Sequence, residues 1–258
     1  MDTSTSPEVD ALTTLRLAEY SQSEQSGRRL LAQFTDRTVV VYQAYKPELG
    51  TFAAEHDYFG GGFSFQRTSW IKPNFTWMMY RCGWASKKDQ EVVLALHLRR
   101  DYWDSVLSQA VMSNYEAHLS TQPEAAQAEA AAQAEAAAQG EDSAGGDGQY
   151  SASGTNRWRS SLRASNVVVQ WDPEHKPFTG HKAGYRVIQL GLRKDGLAAF
   201  KGPAFGEGGI EDVTAFAKAT KARHGGGRAG ALEGLLLPAE DLYPVQNAQV
   251  AQRLGVDY

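Results

Sequence analysis

The chain has 258 residues, of which 42% are hydrophobic, a formal net charge of −4 at pH 7 and one cysteine, Cys82. This length allows one large domain or two small ones with a real core, and the net charge gives no support to a broad nucleic-acid-binding surface. The single cysteine excludes an internal disulfide and a cysteine-based metal cluster, and it is typical of a reducing compartment.

The first residues, MDTSTSPEVDALTTL, have no basic start followed by an apolar run, so no secretory signal is predicted. No stretch approaches the 18 consecutive apolar residues that a membrane helix needs. We therefore expect a protein of the cytoplasm or nucleus that has no membrane partner.

The N-terminal part of the chain predicts a tail followed by the first elements of a domain. Residues 1–24 are rich in Ser and Thr and acidic, which indicates a loose, disordered tail, and residues 25–258 are expected to form a single α+β domain. A short helix is predicted over 26–34. The run RTVVVYQAY over 37–45 is β-branched and continuously apolar, which predicts a strand buried on both faces. A helix is expected over 47–58.

The middle of the chain predicts three further elements after a loop of three glycines at 60–62. The alternation FSFQR over 63–67 favours a short strand, and the sequence KPN at 72–74 predicts the start of a helix over 73–84, because proline suits the first helical turn. A strand is expected over 91–98 and a helix over 102–119.

Residues 120–155 form a low-complexity insert of Ala, Glu and Gln that ends in Gly and Asp. These residues favour helix, yet the insert has no apolar stripe beyond alanine with which to dock. We expect an exposed tether that carries no chemistry and that can be deleted without loss of folding.

The C-terminal part predicts a hairpin and two helices. Strands are expected over 165–171 and 185–192, an amphipathic helix over 210–224 and a short final helix over 247–254. The predicted fold class is therefore α+β, a single domain with a mixed or antiparallel sheet flanked by helices.

The stretch from Tyr58 to Ala85 contains nine of the 27 aromatic residues of the chain, together with three consecutive glycines, two arginines and a lysine. Glycine lets the backbone approach a ligand, aromatic rings offer stacking faces, and Arg and Lys bind phosphate or carboxylate. This composition favours a pocket for a flat anionic molecule. In this pocket Arg81, on one helix face with Trp77 and Trp84, would be held between the two indoles and aimed into the cavity. An aromatic core is the alternative, in which one face of the helix is core and the Trp residues cap it.

Several catalytic motifs are absent from the sequence. It has no GxxxxGK[ST], no GxGxxG, no HExxH, no HxE followed by CxxC and no GxSxG. Of six histidines, His175 and His181 alone are close in sequence, and we predict no metal site.

A catalytic site in such a pocket needs a carboxylate that stabilises a developing cation or acts as a base. The candidates are Asp172 and Glu174 in QWDPE, and Glu240 in PAEDLYP. Each of them is also a typical turn or capping residue, because Asp before Pro commonly forms a turn.

Five segments together resemble the family called domain of unknown function 4291. They are VYQAYKPE, FGGGFSFQRTSWIKPNFTWMMYRCGWA, VVVQWDPEH, YRVIQLGLR and LPAEDLYPV, and the similarity runs from about Val39 to Gly255. The Ala/Glu insert interrupts it between elements.

A more distant resemblance is to ADP-ribosyltransferases of the DNA-modifying toxin type. It implies a split sheet that binds NAD, with Tyr42 and Gln43 on the early strand and Arg67 in an aromatic–x–Arg–Thr–Ser pattern on the NAD phosphates or ribose. No QxE or ExE pattern occurs at a strand end, so the implied catalytic carboxylate is Glu240 or Asp172. The residues that the resemblance places at the NAD site are Tyr42, Gln43, Arg67, Trp70, Lys72, Asn74, Trp77, Tyr80 and Arg81.

Two functions therefore remain open. One is an enzyme that binds NAD without a metal and transfers ADP-ribose to a protein or nucleic acid. The other is a non-catalytic module that binds a nucleotide or an RNA end with the same cations and aromatic residues. A purely structural role of the aromatic stretch is the third interpretation.

Overall fold

The structure is a computed structural model, and it describes residues 12–21, 26–122, 131, 153–226 and 232–258. It confirms a mixed α+β fold in one domain, in which several sheets are flanked by helices. In the part of the chain that is described, none of the helices is both long and apolar enough to cross a membrane.

The first sheet has three antiparallel strands, β4 (Thr38–Tyr45), β6 (Val92–Arg99) and β10 (Phe205–Asp212), in the order β10-β6-β4. The β4 and β6 strands pair along their whole length, from Thr38 opposite Arg99 to Tyr45 opposite Val92. Their continuous apolar runs are buried on both faces, as the sequence predicts for TVVVYQAY and VVLALHLR.

The second sheet is mixed. Its strands are β2 (Gly27–Arg29), β5 (Ser69–Ile71), β7 (Ala110–Met112), β8 (Val167–His175) and β9 (Lys182–Leu192). The β8–β9 hairpin predicted from the sequence forms its centre, whereas β7 runs parallel to β8 and β2 parallel to β9. The β5 strand pairs with the last residues of β9.

In the described part of the chain, one backbone bridge joins the two sheets. The Tyr42 N–H donates to the Lys72 carbonyl at 2.7 Å, and the Lys72 N–H donates to the Tyr42 carbonyl at 3.2 Å. A cleft lies beside this bridge, where the end of β4 faces β5.

The remaining strands form two short pairs. These are β1 (Leu17–Glu19) with β11 (Leu236–Pro238), and β3 (Leu31–Ala32) with β12 (Asp241–Leu242). The helices are α1 (Pro47–His56), α2 (Phe75–Cys82), α3 (Arg100–Gln109), α4 (Tyr115–Leu119), α5 (Ser153–Ala164), α6 (Asp195–Ala198), α7 (Thr214–His224) and α8 (Ala248–Leu254).

Several predicted elements differ from the structure. The helix predicted over 26–34 is wrong, since this segment contains β2 and β3. The strand predicted over 63–67 lies instead at Ser69–Ile71, where alternate side chains are buried. The helix predicted over 102–119 is divided into α3, β7 and α4, and the first residues of the helix predicted over 210–224 belong to β10.

The predicted tail over 1–24 also needs a correction. Residues 12–21 are described, and Leu15 is buried while Leu17 to Glu19 form β1 against β11. The core has a second cluster of buried side chains, which includes Leu15, Tyr42, Phe75 and Phe216. Leu12 and Leu17 pack against this second core cluster, and these contacts fix the segment. The rest of the predicted tail and most of the predicted insert over 120–155 lie outside the described residues.

Candidate functional site

The cleft between the two sheets contains a cavity of about 690 Å3. Its walls come from the end of β4, the glycine loop, β5 and the outer face of α2. This volume is within the range of pockets that bind small organic ligands and cofactors. The lining includes four cations, Lys46, Arg67, Lys72 and Arg81, and one carboxylate, Asp89.

Each cation is placed by a different local structure. Arg67 precedes β5, and Lys72 follows it at the bridge to Tyr42. Arg81 lies in the last turn of α2, a helix that begins because the Asn74 side chain accepts the Trp77 N–H at 2.8 Å. The helix ends at Gly83, whose φ of +61° suits glycine. The two ends of β5 and the last turn of α2 thus bring Arg67, Lys72 and Arg81 to one cavity.

Three of these cations have no carboxylate within ion-pair distance in the described structure. Lys46 lies 3.8 Å from Glu48. No ion pair joins Arg67, Lys72 or Arg81 to any residue that the structure describes. A bound anion would supply the missing partner.

Lys72 is the most unusual of them, because its side chain is only 6% exposed. Burial and the nearby charge of Arg81 lower the pKa of Lys72 to about 8, and Asp172 acts in the opposite direction. An ammonium group that is removed from water without a paired anion is costly. The cost is recovered when a ligand brings a negative charge into the cavity.

The floor of the cavity is a closed hydrogen-bond network. The Gln43 amide donates to Ser69 Oγ at 2.8 Å and to the Trp70 carbonyl at 3.1 Å. The Tyr45 hydroxyl donates to Gln43 Oε1 and is 2.9 Å from Ser69 Oγ. Gln43 therefore positions β5 against β4, and the aromatic surface that the cavity presents comes from Tyr45, Phe63 and Trp70.

The structure separates the other residues predicted at the NAD site from this cavity. Tyr42 is fully buried and packs edge-on against Phe75 in the second core cluster. Trp77 and Tyr80 stack on His175, at ring distances of 5.3 and 3.6 Å. Asn74 caps α2. None of these four lines the cavity of Lys72.

The alternative in which Arg81 is held between two indoles is not what the structure shows. Trp84 lies after the end of α2 and packs on Phe178 and Phe75. Arg81 is exposed and lines the cavity.

The three candidate carboxylates occupy different places. Asp172 lies on β8, accepts a hydrogen bond from the Gln189 amide at 2.6 Å, and has its pKa raised by burial while the charges of Lys72, Arg81 and Arg186 oppose the rise. It is thus close to the cations of the cleft, although it does not line the cavity itself.

Glu240 instead joins the C-terminal segment to α2. Its two oxygens accept from the Phe75 N–H and the Asn74 amide, both at 2.6 Å. Burial and the charge of Glu174 raise the pKa of Glu240 well above its usual range.

Glu174, the third candidate, is a core residue. Its carboxyl is 2% exposed, accepts from the His175 N–H at 2.6 Å and has a second oxygen without a partner in the described structure. Burial raises the pKa of Glu174 to about 7. The charge of Glu174 raises the pKa of Glu240, so the two carboxyl groups form an acidic pair beside α2.

Sequence reasoning missed Tyr45, Phe63 and Lys46, which line the cavity, and the stacking of His175 under Tyr80. The position of Tyr45 could have been predicted from Gln43, because residues two apart on a strand lie on the same face of the sheet. Nothing in the local sequence indicates the stacking of His175, because it joins elements almost a hundred residues apart.

Within the described residues, no group of three or more His, Cys, Asp or Glu lies close enough to hold a metal ion.

Comparison with known families gives one result. A family model described as a domain of unknown function (DUF4291) matches residues 29–243, which include the cavity and both sheets apart from the first two residues of β2. No curated protein matches the chain.

Proposed function

The chain belongs to the DUF4291 family, and we propose that it binds NAD in the cleft between its two sheets and transfers the ADP-ribose group to an acceptor. The observation that carries this proposal is a set of three cations, Arg67, Lys72 and Arg81, that form no ion pair with any described residue and line one cavity of about 690 Å3.

Phosphate is the anion that best suits this set. Arg67 and Arg81 offer planar donor groups that bind two phosphate oxygens at once, and Lys72 offers a point charge. A pyrophosphate has enough negative charge to meet all three. The rings of Trp70, Phe63 and Tyr45 line the same cavity, and aromatic rings suit contact with an aromatic base or with nicotinamide. A dinucleotide satisfies both requirements.

The transfer step needs a carboxylate near the cations, and Asp172 is the candidate that meets this condition. In the reaction the bond between nicotinamide and ribose C1′ breaks, and nicotinamide leaves with the electron pair. An acceptor oxygen or nitrogen then bonds to C1′ and loses its proton. The Asp172 carboxylate is suited to stabilise the positive charge that develops on the ribose. Glu240 is less suited, because its oxygens are used by Asn74 and Phe75.

A second function, a non-catalytic nucleotide-binding module, is favoured by one specific observation. Asp172 does not line the cavity, and binding by the three cations needs no carboxylate. The two functions differ in whether NAD is consumed.

The test combines binding and turnover. Isothermal titration with NAD is expected to show binding to the wild type and to an Arg37→Ala control, whose exposed side chain pairs with Glu207 elsewhere. Arg67→Ala should bind at least about tenfold more weakly, which is the loss of one charge-assisted contact. A folded wild type that does not bind NAD would remove the proposal.

Nicotinamide release separates the enzyme from the module. Under the transferase proposal, Asp172→Asn keeps NAD affinity and loses turnover, while Glu240→Gln keeps turnover. Binding without any nicotinamide release from the wild type, across protein and nucleic-acid acceptors, would favour the module.

A further inference from the structure

A second cavity, of about 480 Å3, lies at the edge of β8 on the other side of Asp172. The β7 strand pairs with β8 only from Val167 to Val169, so the next residues of β8 form an open edge. The cavity lies beside this edge, between the end of β7, α4 and two arginines, Arg28 and Arg186. We call it the arginine cavity.

The two guanidinium groups are held in place without carboxylate partners. Arg28 Nη2 donates to Ser120 Oγ at 2.9 Å, and Arg186 Nη1 donates to the Trp171 carbonyl at 2.9 Å. Neither arginine forms an ion pair within the described ranges. Burial and the charge of Arg186 lower the pKa of Arg28, while Asp257 opposes this. The two like charges are therefore near each other, and an anion between them would relieve the repulsion.

The carboxylates of the arginine cavity are Asp172 and Glu116. Asp172 is held by Gln189, and Glu116 lies in the first turn of α4 and is exposed. Neither is within ion-pair distance of Arg28 or Arg186. The arginine donors thus remain available to a ligand despite the acidic neighbours.

Further positive charge continues from the arginine cavity along α5. The Trp158 indole N–H donates to the carbonyl of Met112, a lining residue, at 2.9 Å. The Trp158 ring lies 5.3 Å from the Tyr115 ring of α4. This docking holds α5, on which the exposed Arg157 and Arg159 flank Trp158, beside residues that line the arginine cavity. Exposed positive charge therefore lies on the helix next to the arginine cavity as well as within it.

We propose that the arginine cavity binds a phosphate group of a single-stranded nucleic acid, whose neighbouring phosphates lie along Arg157 and Arg159. Arginines within a cavity and on the helix beside it suit the repeating charge of a phosphodiester backbone, whereas a single carboxylate ligand would use the cavity arginines alone. The polar side chains of Ser113, Asn114 and Gln170 in the lining offer hydrogen bonds to sugar or base. The proposal does not depend on the ligand of the first cavity, although a strand bound here would lie beside Asp172.

Fluorescence anisotropy with labelled single-stranded DNA and RNA oligonucleotides tests this proposal. The variant is Arg28→Gln with Arg186→Gln, and the matched control is Arg37→Gln with Arg223→Gln, which removes the same charge from exposed positions elsewhere. We expect the variant to bind at least about tenfold more weakly than wild type and control. The slope of log affinity against log salt should fall by about 1.4, as expected for two lost phosphate contacts to a single strand.

Three outcomes would overturn the proposal: no binding of either oligonucleotide to the wild type, equal losses in variant and control, or tight binding of an acidic peptide that competes with the oligonucleotide. If the double variant unfolds, Arg186→Gln alone gives the same test, because Arg186 is exposed. A parallel titration with NAD separates this site from the first one, since the double variant should bind NAD as the wild type does. Failure to bind NAD with retained oligonucleotide binding would contradict the proposed function and leave the arginine cavity supported.

Discussion

Tyr42 and Lys72 are joined by two backbone hydrogen bonds, and this pair connects the two sheets of the protein. It places the two side chains in opposite environments. Tyr42 is fully buried in the core, whereas Lys72 lines the cleft with a buried charge that has no carboxylate partner in the described structure. The bridge thus fixes the position of the buried cation of the cleft.

The first prediction concerns the stability cost of Lys72. The pKa of Lys72 falls from 10.5 to about 8 on folding, which corresponds to about 3 kcal/mol. The variant Lys72→Met should therefore be at least as stable as the wild type at pH 7 without ligand. Urea unfolding measures the difference, with exposed Lys218→Met on α7 as the control. A loss of more than about 1 kcal/mol at pH 7 would show that the charge is stabilised within the apo protein.

The same group makes stability depend on pH. Between about pH 8 and 10.5 the unfolded chain keeps the Lys72 proton while the folded protein releases it. The unfolded state then binds more protons, so this contribution raises stability as pH increases through that window. The advantage of Lys72→Met over the wild type should therefore shrink from pH 8 upward, and an advantage that stays constant to pH 10 would contradict the lowered pKa.

The second prediction is that NAD affinity falls above about pH 8. Only the protonated Lys72 attracts phosphate, and its free pKa is about 8. Each pH unit well above this value should cost up to about tenfold in affinity, because fewer molecules carry the charge. Calorimetric titration between pH 6.5 and 9.5 measures the effect, and Lys72→Met should bind weakly with a flat pH profile. If wild type and Lys72→Met show the same dependence of NAD affinity on pH, the charge of Lys72 does not contribute to NAD binding.

The pattern of apolar residues along the strands determines which parts of this site could be predicted from the sequence. The runs in β4, β6 and β8, the hairpin and the start of α2 were readable, and so were Arg67, Lys72 and Arg81 as a set. Tyr42 and Gln43 were both assigned to the NAD site, yet neighbouring residues of a strand face opposite sides of the sheet. The structure buries Tyr42 and leaves Gln43 in the cavity wall.

Contacts between segments that are distant in the chain could not be predicted from the sequence. Arg28 and Arg186 meet because β2 pairs with β9 in parallel, with Arg28 opposite Arg186. Residues 26–34 were assigned to a helix because β2 and β3 have only three and two residues, too few for an alternating pattern. Glu240 reaches α2 from 165 residues away. Such pairs are set by the tertiary fold, which a local pattern does not encode.

The third prediction distinguishes Glu240 as a structural residue. Replacing it with alanine leaves the Phe75 N–H and the Asn74 amide without their acceptor. We expect a loss of about 1–3 kcal/mol in unfolding free energy with little change in NAD affinity. The neighbouring Asp241→Ala, which removes an exposed pair with Arg16, is the control and should cost less than about 1 kcal/mol. Full stability of Glu240→Ala combined with lost NAD binding would assign Glu240 to the ligand site instead.

The fourth prediction concerns Glu174 and acid stability. Its pKa rises from 4.5 to about 7 on folding, so between these values the folded protein holds a proton that the unfolded chain has released. This contribution is complete below pH 4.5 and is lost as pH rises through about 7, with a total of about 3 kcal/mol.

Glu174→Gln removes this dependence. The difference in unfolding free energy between variant and wild type should grow in favour of the variant as pH rises from 5 to 7.5. Urea unfolding at several pH values measures it, and exposed Glu207→Gln should show no such trend. A pH-independent difference would mean that Glu174 titrates normally.

The most direct measurement of the central claim is a calorimetric titration of the wild-type protein with NAD and, in parallel, with adenosine. If the cations of the cleft bind phosphate, NAD binds and adenosine, which has no phosphate, binds at least about a hundredfold more weakly. Equal affinities for the two ligands, or no binding of NAD to the folded protein, would contradict the claim.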